Sequence, residues 1–214
     1  TRIIMETNPI PIVIVTGSIN INDVAFSFSM MDAGALAVVK KPPSVDHSDY
    51  KNDVQEMIQT LKLMSEVKLV RRVTTKPKIT LSFQPEKKTP ISKDAAIQII
   101  SIGASTGGPL VLQKILSLLS KNIPVPILIV QHISQGFTEG FVERLKNTTH
   151  FPLHIATHGE YPLPGHGYIA PDNIHMGIES GPRIVLSQHE FENGLRPSVA
   201  YLFRTSVQVF GSKA

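Results

Sequence analysis

One serine of the chain stands where a nucleophile could be activated. The residues from Gly103 to Gly107 read G-A-S-T-G, between an apolar run and an amphipathic stretch, so Ser105 falls on a predicted strand-to-helix turn. In that context G-x-S-x-G forms a sharp elbow, and the serine hydroxyl projects beside a helix N-terminus whose free amides can hold an oxyanion. These residue types therefore indicate acyl transfer at Ser105.

Spacing alone leaves two other uses of this turn open. A glycine-rich turn before a helix is also an anion site, so Gly103, Gly107 and Gly108 could hold a phosphate or a nucleotide, with Ser105 as one more donor. The turn could equally be a tight bend without a ligand. The dinucleotide fingerprint fails because position 105 would have to be glycine, and no P-loop lysine follows.

A serine nucleophile needs a base, and His132 is the best placed of the eight histidines. It ends the next predicted strand, so it should lie beside Ser105 at the same edge of a parallel sheet. The other histidines are scattered without metal-ligand spacing. Ordinary α/β-hydrolases place their histidine last and far from the serine, so the order here disfavours that class. Cysteine is absent, which excludes thiolate chemistry.

The elements that must carry these residues alternate between apolar strands and amphipathic helices in two halves of the chain. The predicted strands are 10–17, 35–42, 96–101, 125–132 and 151–158. The predicted helices are the segment from Asn20 or Asn22 to Gly34, then 49–67, 109–120, 136–147 and 196–211. A β-hairpin is predicted from 165–171 and 182–188.

Each predicted helix has an apolar face that we expect to point into a core. The expected inward positions are Val24, Ala25, Phe28, Met31, Tyr50, Val54, Met57, Ile58, Leu61, Met64, Leu112, Ile115, Leu116, Leu119, Phe137, Phe141, Val142, Leu145, Val199, Leu202, Phe203 and Val207. The first strand, 10–17, is expected to be buried on both faces.

Composition bounds the class of protein. The 214 residues are 42% hydrophobic and 18% charged, enough to bury a core. No run of eighteen apolar residues and no signal peptide is present, so we expect no membrane insertion and a cytoplasmic location. The chain starts with Thr1, and its first residues resemble the end of a helix running into a strand. We interpret it as a fragment.

The net charge of +4 is concentrated in one tract. Between Lys62 and Lys93 the sequence has nine basic and two acidic residues, three prolines and little periodicity. That composition is typical of a solvated linker. Aromatic residues barely interleave the tract, so the stacking platforms of single-strand binders are missing and no nucleic-acid partner is expected.

The first half resembles a response-regulator receiver domain. The segments "PIPIVIVTG" and "MDAGALAVVKKPP" are similar to its last two strand-helix units. Thr16 and Lys41 match the family's hydroxyl and lysine, which donate to a phosphorylated aspartate and read out the phosphate. The resemblance implies that the acceptor aspartate and the acidic ligands for Mg²⁺ belong upstream of Thr1, outside this chain.

The second half resembles the chemotaxis-type protein-glutamate methylesterase (CheB) family. The segments "IGASTGGP", "QHISQGFTEGFVERL", "LPGHGYIAPDNIHM" and "RPSVAYLFRTS" match it in order and spacing. The resemblance implies an α/β architecture: the C-terminal half of a flavodoxin-like receiver in 1–67, a basic linker in 68–94, and part of a Rossmann-like, parallel-sheet methylesterase domain in 95–214.

The family resemblance also implies residue roles. Ser105 would be the nucleophile, His132 its general base, and Thr106 would line the site. The substrates would be glutamate γ-methyl esters, and also certain glutamines, on methyl-accepting chemotaxis receptors. The chemistry would need no cofactor. In this two-component phosphorelay, a chemotaxis histidine kinase would phosphorylate the receiver, which blocks the active site until then.

The resemblance has one departure. The family's orienting aspartate lies in a Thr-Gly-Met-Gly-x-Asp-Gly segment, expected after the helix that ends near Gly211, and the chain stops at Ala214. Asp94 and Asp172 do not match that position. We therefore expect the chain as given to be inactive or severely impaired, because loss of the orienting acid costs about 10⁴-fold in a serine protease. The alternative is a non-catalytic output module that binds a receptor or another acidic partner.

Overall fold

The structure is a computed structural model that describes residues 1–17, 21–67, 69, 97–105 and 107–214. Its elements in chain order are α1 (Arg2–Thr7), β1 (Val13–Thr16), α2 (Ile21–Asp32), β2 (Ala37–Lys40), α3 (Tyr50–Ser65), β3 (Ile100–Ala104), α4 (Gly108–Leu118), β4 (Ile127–Gln131), α5 (Thr138–Thr149), β5 (Leu153–Ile155), β6 (Gly167–Ile169), β7 (His175–Glu179), β8 (Arg183–Ser187) and α6 (Val199–Phe210). The predicted linker 68–94, apart from Leu69, lies outside the described residues, as do Asn20 and the side chains of Val24 and Ala25.

Strands β1 and β2 form a parallel pair in which Thr16 lies opposite Lys40. The prediction that the first strand is buried on both faces is wrong, because the side chain of Val15 is 49% exposed. Within the described residues β1 pairs with β2 alone, so no further strand covers this part of the pair. Asn22 lies inside α2, which begins at Ile21, so it is not the N-cap.

The main sheet is parallel, with the strand order β3-β4-β6-β5. All five residues of β4 are buried, as expected for a strand covered on both faces. One face of the sheet packs on α4 and α5, and on Phe28 and Met31 of α2. The other packs on β7, β8 and α6. The predicted strand 96–101 is shifted in the structure, because β3 runs from Ile100 to Ala104.

The predicted β-hairpin is wrong in one of its arms. The segment 165–171 supplies β6, which lies between β4 and β5 in the main sheet. The hairpin consists of β7 and β8, with Glu179 opposite Arg183. Tyr168 and Ile169 of β6 are both almost completely buried. Neighbouring residues of a strand point to opposite faces, so both can be buried only inside a sheet that is covered on both sides. An arm of an exposed hairpin would leave one face in water.

The helices bury half of the expected apolar positions whose side chains the structure describes. Those that are buried include Phe28, Met31, Met64, Leu112, Leu116, Phe137, Phe141, Val142, Leu145 and Leu202. Five expected inward positions are instead exposed: Ile58, Leu61, Ile115, Phe203 and Val207. In α6 the reason is the packing partner. The helix contacts β7 and β3, and it turns Leu202 and Ser206 inward, with Ser206 Oγ 2.8 Å from Ser101 Oγ.

The N-terminal part of the chain packs against the main sheet through α2 and α5. The rings of Phe28 and Phe141 stack with their centroids 5.5 Å apart. Beside them, the guanidinium of Arg144 forms an ion pair with the carboxylate of Asp32. Ser134 Oγ donates a hydrogen bond of 3.3 Å to the carbonyl oxygen of Val38. The N-terminal part therefore contacts the loop that follows β4.

Candidate active site

Ser105 and His132 directly follow two neighbouring strands, β3 and β4. The last residues of these strands, Ala104 and Gln131, are register partners. The backbone N–H of His132 donates to the carbonyl oxygen of Ala104 at 2.9 Å. The predicted placement of the serine and the histidine at one edge of the sheet is therefore confirmed.

The turn after β3 presents Ser105 to solvent beside the start of α4. The Ser105 carbonyl accepts a 2.8 Å hydrogen bond from the N–H of Gly108, and the residue itself is exposed. Gly107 is the N-cap of α4 and has φ of 74°, a left-handed conformation that glycine adopts without strain. The positive end of the helix dipole therefore lies next to Ser105. Thr106, predicted to line the site, lies outside the described residues.

The imidazole of His132 is suited to accept a proton. Partial burial lowers its pKa below the ordinary value of 6.5, and a hydrogen bond to the backbone of Pro197 opposes that shift. Its Nε2 atom is buried and has no hydrogen-bond partner among the described residues. Near neutral pH the ring is therefore uncharged, with a ring nitrogen available for a hydroxyl.

A residue that the sequence analysis missed, Gln131, connects the two predicted site residues. Its Nε2 donates to the Ser105 carbonyl at 2.9 Å and to the His132 carbonyl at 2.8 Å. The residue is buried, with 4% of its surface exposed. A signal was available, since Gln131 is the polar residue at the end of the otherwise apolar strand "ILIVQ".

Ser105 and His132 line one cavity of about 810 Å³. Its walls come from both halves of the chain, since Phe28, Gln59 and Met64 of the N-terminal part line it as well. The N-terminal part therefore borders the space next to Ser105, into which a substrate of the serine would have to enter.

Two further residues at the cavity, Asp172 and Arg196, hold loops in place. Asp172 accepts hydrogen bonds from the N–H of Gly136 at 2.7 Å and from the hydroxyl of Thr138, at the start of α5. Arg196 donates to Asn173 Oδ1 and to two backbone carbonyls of the loop after β8, each at 3.0 Å. Asp172 is thus engaged at α5, in agreement with its mismatch to the family's orienting aspartate.

A buried histidine, His175, fixes the backbone next to Pro197. It is 1% exposed; its Nδ1 accepts from the N–H of Ser198 at 3.1 Å, and its Nε2 lies 3.0 Å from the Glu190 carbonyl. Because Nδ1 accepts from a backbone amide, the neutral ring carries its proton on Nε2 and donates to Glu190. Ser198 in turn caps α6 by accepting from the N–H of Tyr201. The Pro197 backbone that bonds to His132 is therefore anchored.

Thr16 and Lys41, the matches to the receiver phosphate switch, lie together at the ends of β1 and β2. The backbone N–H of Lys41 donates to the Thr16 carbonyl at 2.7 Å. Lys41 is exposed. Its neighbour Lys40 forms an ion pair with Asp53, with 3.4 Å between Nζ and Oδ2. The two matched residues share a sheet edge, as a common phosphate readout would require.

Within the described part of the chain, no group of three His, Cys, Asp or Glu side chains could hold a metal ion. None of the described helices is long and apolar enough to cross a membrane.

Comparison with known proteins places this geometry in a family. A family model described as CheB methylesterase matches residues 100–214, just over half of the chain and all of the region that carries Ser105 and His132. The chain belongs to the CheB methylesterase family. The parallel sheet agrees with a CheB fold: the crystal structure of the Thermotoga maritima CheB methylesterase catalytic domain matches with a TM-score of 0.52 and 37% identity, over 54% of this chain and 63% of that one.

Curated CheB relatives align with the whole chain. A protein of Nitrosospira multiformis, named protein-glutamate methylesterase/protein-glutamine glutaminase, is 48% identical over 214 residues, which cover 100% of this chain and 60% of the relative. A protein of Syntrophus aciditrophicus with the same name, numbered 1, is 44% identical and is covered to 61%. The chain therefore spans about three fifths of the length of these relatives.

Proposed function

We propose that the protein hydrolyses glutamate γ-methyl esters on methyl-accepting chemotaxis receptors and deamidates particular receptor glutamines, in the cytoplasm and without a cofactor. The observation that carries the proposal is that Ser105 and His132 follow adjoining strand ends and line one cavity, while the buried Nε2 of His132 has no hydrogen-bond partner among the described residues. The names of the CheB relatives supply the substrate class. The alternative anion-cradle use of the turn leaves the free imidazole without a role.

The first step is acylation of the serine. Ser105 Oγ attacks the ester carbonyl carbon while its proton passes to Nε2 of His132. The tetrahedral intermediate then collapses, the bond to the methoxy oxygen breaks, and the His132 proton moves to that oxygen to release methanol. With a glutamine substrate the leaving group takes the proton in the same way and departs as ammonia.

The second step is hydrolysis of the acyl-enzyme. Water attacks the acyl carbon and gives a proton to His132, and the proton returns to Ser105 Oγ as the glutamate carboxyl is released. The partial positive charge at the start of α4 stabilises the oxyanion in both steps. The lowered pKa of His132 keeps its imidazole neutral, as a general base must be before each attack.

Regulation follows from the position of the N-terminal part. Its residues line the cavity that contains Ser105, which supports a receiver that restricts access to the serine. Thr16 and Lys41 would read a phosphoryl group transferred from the chemotaxis histidine kinase to the receiver, because a hydroxyl and an ammonium both donate to phosphoryl oxygens. Phosphorylation would loosen the docked arrangement and admit receptor helices.

The proposal is tested by methanol release from methylated chemoreceptors, with the full-length protein. We expect Ser105→Ala to lower turnover by at least about 10³-fold, and a fluorophosphonate probe to label wild-type protein at Ser105. Ser117→Ala is the matched control, because this exposed hydroxyl of α4 bonds to the carbonyl of Gln113 and is absent from the cavity lining. Unchanged turnover in Ser105→Ala, together with no adduct at Ser105, would contradict the proposed enzymatic function and favour a binding module.

A further inference from the structure

We propose that Gln131 is a positioning residue that fixes the Ser105 and His132 backbones relative to each other; this inference rests on the proposed function. One side-chain nitrogen of Gln131 donates to the carbonyls of both residues, at 2.9 and 2.8 Å. A primary amide has two N–H groups on one planar nitrogen. The two carbonyls are therefore held at a fixed separation and angle by a single rigid group.

The strand ladder reaches His132 only through its backbone N–H, and it does not reach Ser105. The regular pairing of β3 with β4 ends at Ala104 and Gln131, and one further bond joins the His132 N–H to Ala104. Ser105 has already left the sheet for the turn into α4. Beyond the last ladder bond, the Gln131 amide joins the backbones of Ser105 and His132, where the chain leaves the two strands.

The Gln131 amide is closely confined. A Cβ atom added at Gly108 would lie 2.0 Å from Gln131 Oε1, so the glycine leaves the space that the amide occupies. With 4% of its surface exposed, the side chain has little room for another rotamer. The amide oxygen therefore lies next to the first residue of α4, the helix whose N-terminus lies beside Ser105.

Stability alone does not account for an amide at this position. Its Oε1 is buried and has no hydrogen-bond partner among the described residues. A buried acceptor without a partner is unfavourable for folding, and a methionine would fill a similar volume without one. The benefit of the amide therefore lies in its donors, which hold the two residues that do the chemistry.

Ester hydrolysis by a serine nucleophile is sensitive to such positioning. Proton transfer from Ser105 to His132 needs a short, aligned hydrogen bond, and a displacement of about 1 Å can cost about 100-fold in rate. Both hydrogen bonds of Gln131 to described residues go to backbone carbonyls, so it bonds to neither the imidazole nor the hydroxyl. We therefore expect its loss to lower kcat without changing how the receptor binds.

The experiment compares Gln131→Met with wild type in the full-length protein. Turnover is measured on a methylated chemoreceptor cytoplasmic fragment across a pH series, and Ser105 labelling is measured with a fluorophosphonate probe. We expect kcat and the labelling rate to fall by about 10-fold to 100-fold, with KM and the pH midpoint unchanged. Gln113→Met on α4 is the matched control, since this glutamine lies outside the cavity lining.

The outcomes separate a positioning role from general loosening. If the substitution simply opened the site, His132 would become hydrated, its pKa would rise toward the ordinary value, and the pH midpoint would move up with it. That result, or a wild-type labelling rate in Gln131→Met, overturns the inference while leaving the enzyme intact. Absence of labelling in the wild type would contradict the proposed function itself.

A second variant covers the case in which Gln131→Met fails to fold. Gln131→Asn keeps a buried amide and removes one methylene, so the side chain is too short to reach both carbonyls. Thermal melting establishes whether each variant is folded before kinetics are measured. We expect the same fall in kcat at constant KM, and wild-type kcat in folded Gln131→Asn would overturn the inference.

Discussion

Two of the parallel strand pairs among the described residues, β1–β2 and β3–β4, end in the same way and differ in their surroundings. At the end of β1 and β2, the Lys41 N–H donates to Thr16; at the end of β3 and β4, the His132 N–H donates to Ala104. The first pair has an exposed side chain in Val15, whereas every residue of β4 is buried. The same backbone hydrogen bond therefore lies beside the exposed Lys41 in one pair and beside the partly buried imidazole of His132 in the other.

This difference fits the chemistry that we propose for each edge. A phosphate readout needs donors that a phosphoryl group can reach, and Lys41 is exposed. A general base must stay neutral, and burial favours the neutral form of His132. The main sheet thus partly buries His132, as the proposed role of a base requires, whereas Lys41 at the end of the β1–β2 pair is exposed.

The largest expected effect is on catalysis at the buried edge. His132→Ala removes the base, so we expect the turnover of methylated receptor to fall by about 10³-fold to 10⁴-fold. His47→Ala removes an exposed histidine from the other half of the chain and should leave turnover within about twofold. Equal losses of turnover in His132→Ala and His47→Ala would contradict a special role for the edge formed by β3 and β4.

Substitutions in β4 should also destabilise the protein more than substitutions in β1. Leu128 of β4 is completely buried, so Leu128→Ala should lower the free energy of unfolding by about 2 to 5 kcal/mol. Val15→Ala, on the uncovered strand, should cost less than about 1 kcal/mol because much of that side chain is already in water. Chemical denaturation of both variants measures the two values, and a Val15 cost as large as that of Leu128 would mean that β1 is covered in solution.

The smallest effect is expected where the two halves meet. The pair of Arg144 and Asp32 is partly exposed, and such pairs contribute at most about 1 kcal/mol. Arg144→Met keeps the aliphatic stem beside Phe28 and should raise the turnover of unphosphorylated protein by less than about fivefold. A much larger activation in the methanol-release assay would show that this one pair, rather than the stacked rings and the wider contact, holds the halves together.

The sequence was sufficient to place the two predicted site residues at one edge of the sheet, although the strand before Ser105 is shifted toward it. Strand ends can be predicted from an apolar run and the residue that stops it, and parallel strands bring their ends to one edge, so Ser105 and His132 could be located. Gln131 was missed because it completes a strand read for its apolar residues, and its contacts depend on the register of β3 with β4. Register is a property of the folded sheet, so the polar end of "ILIVQ" marks Gln131 but does not show which residues it contacts.

The failures elsewhere have the same origin. The segment that forms β6 is short and follows glycines, so it resembles a hairpin arm until its insertion between β4 and β5 is known. Phe203 and Val207 make α6 amphipathic, yet that helix turns Leu202 and Ser206 toward the sheet. An apolar face shows that a helix can pack against a core. The topology of the fold decides which side of the helix is buried there.

The most direct test of a neutral, partly buried base acting on Ser105 is the pH dependence of fluorophosphonate labelling, in wild type and in His132→Gln. Burial lowers the pKa of His132 below 6.5, so the rate should rise with pH through a midpoint below 6.5 and then stay level through neutral pH. His132→Gln should lose that limb and most of the rate. A midpoint at or above 6.5, or an unchanged profile in His132→Gln, would contradict His132 as the base.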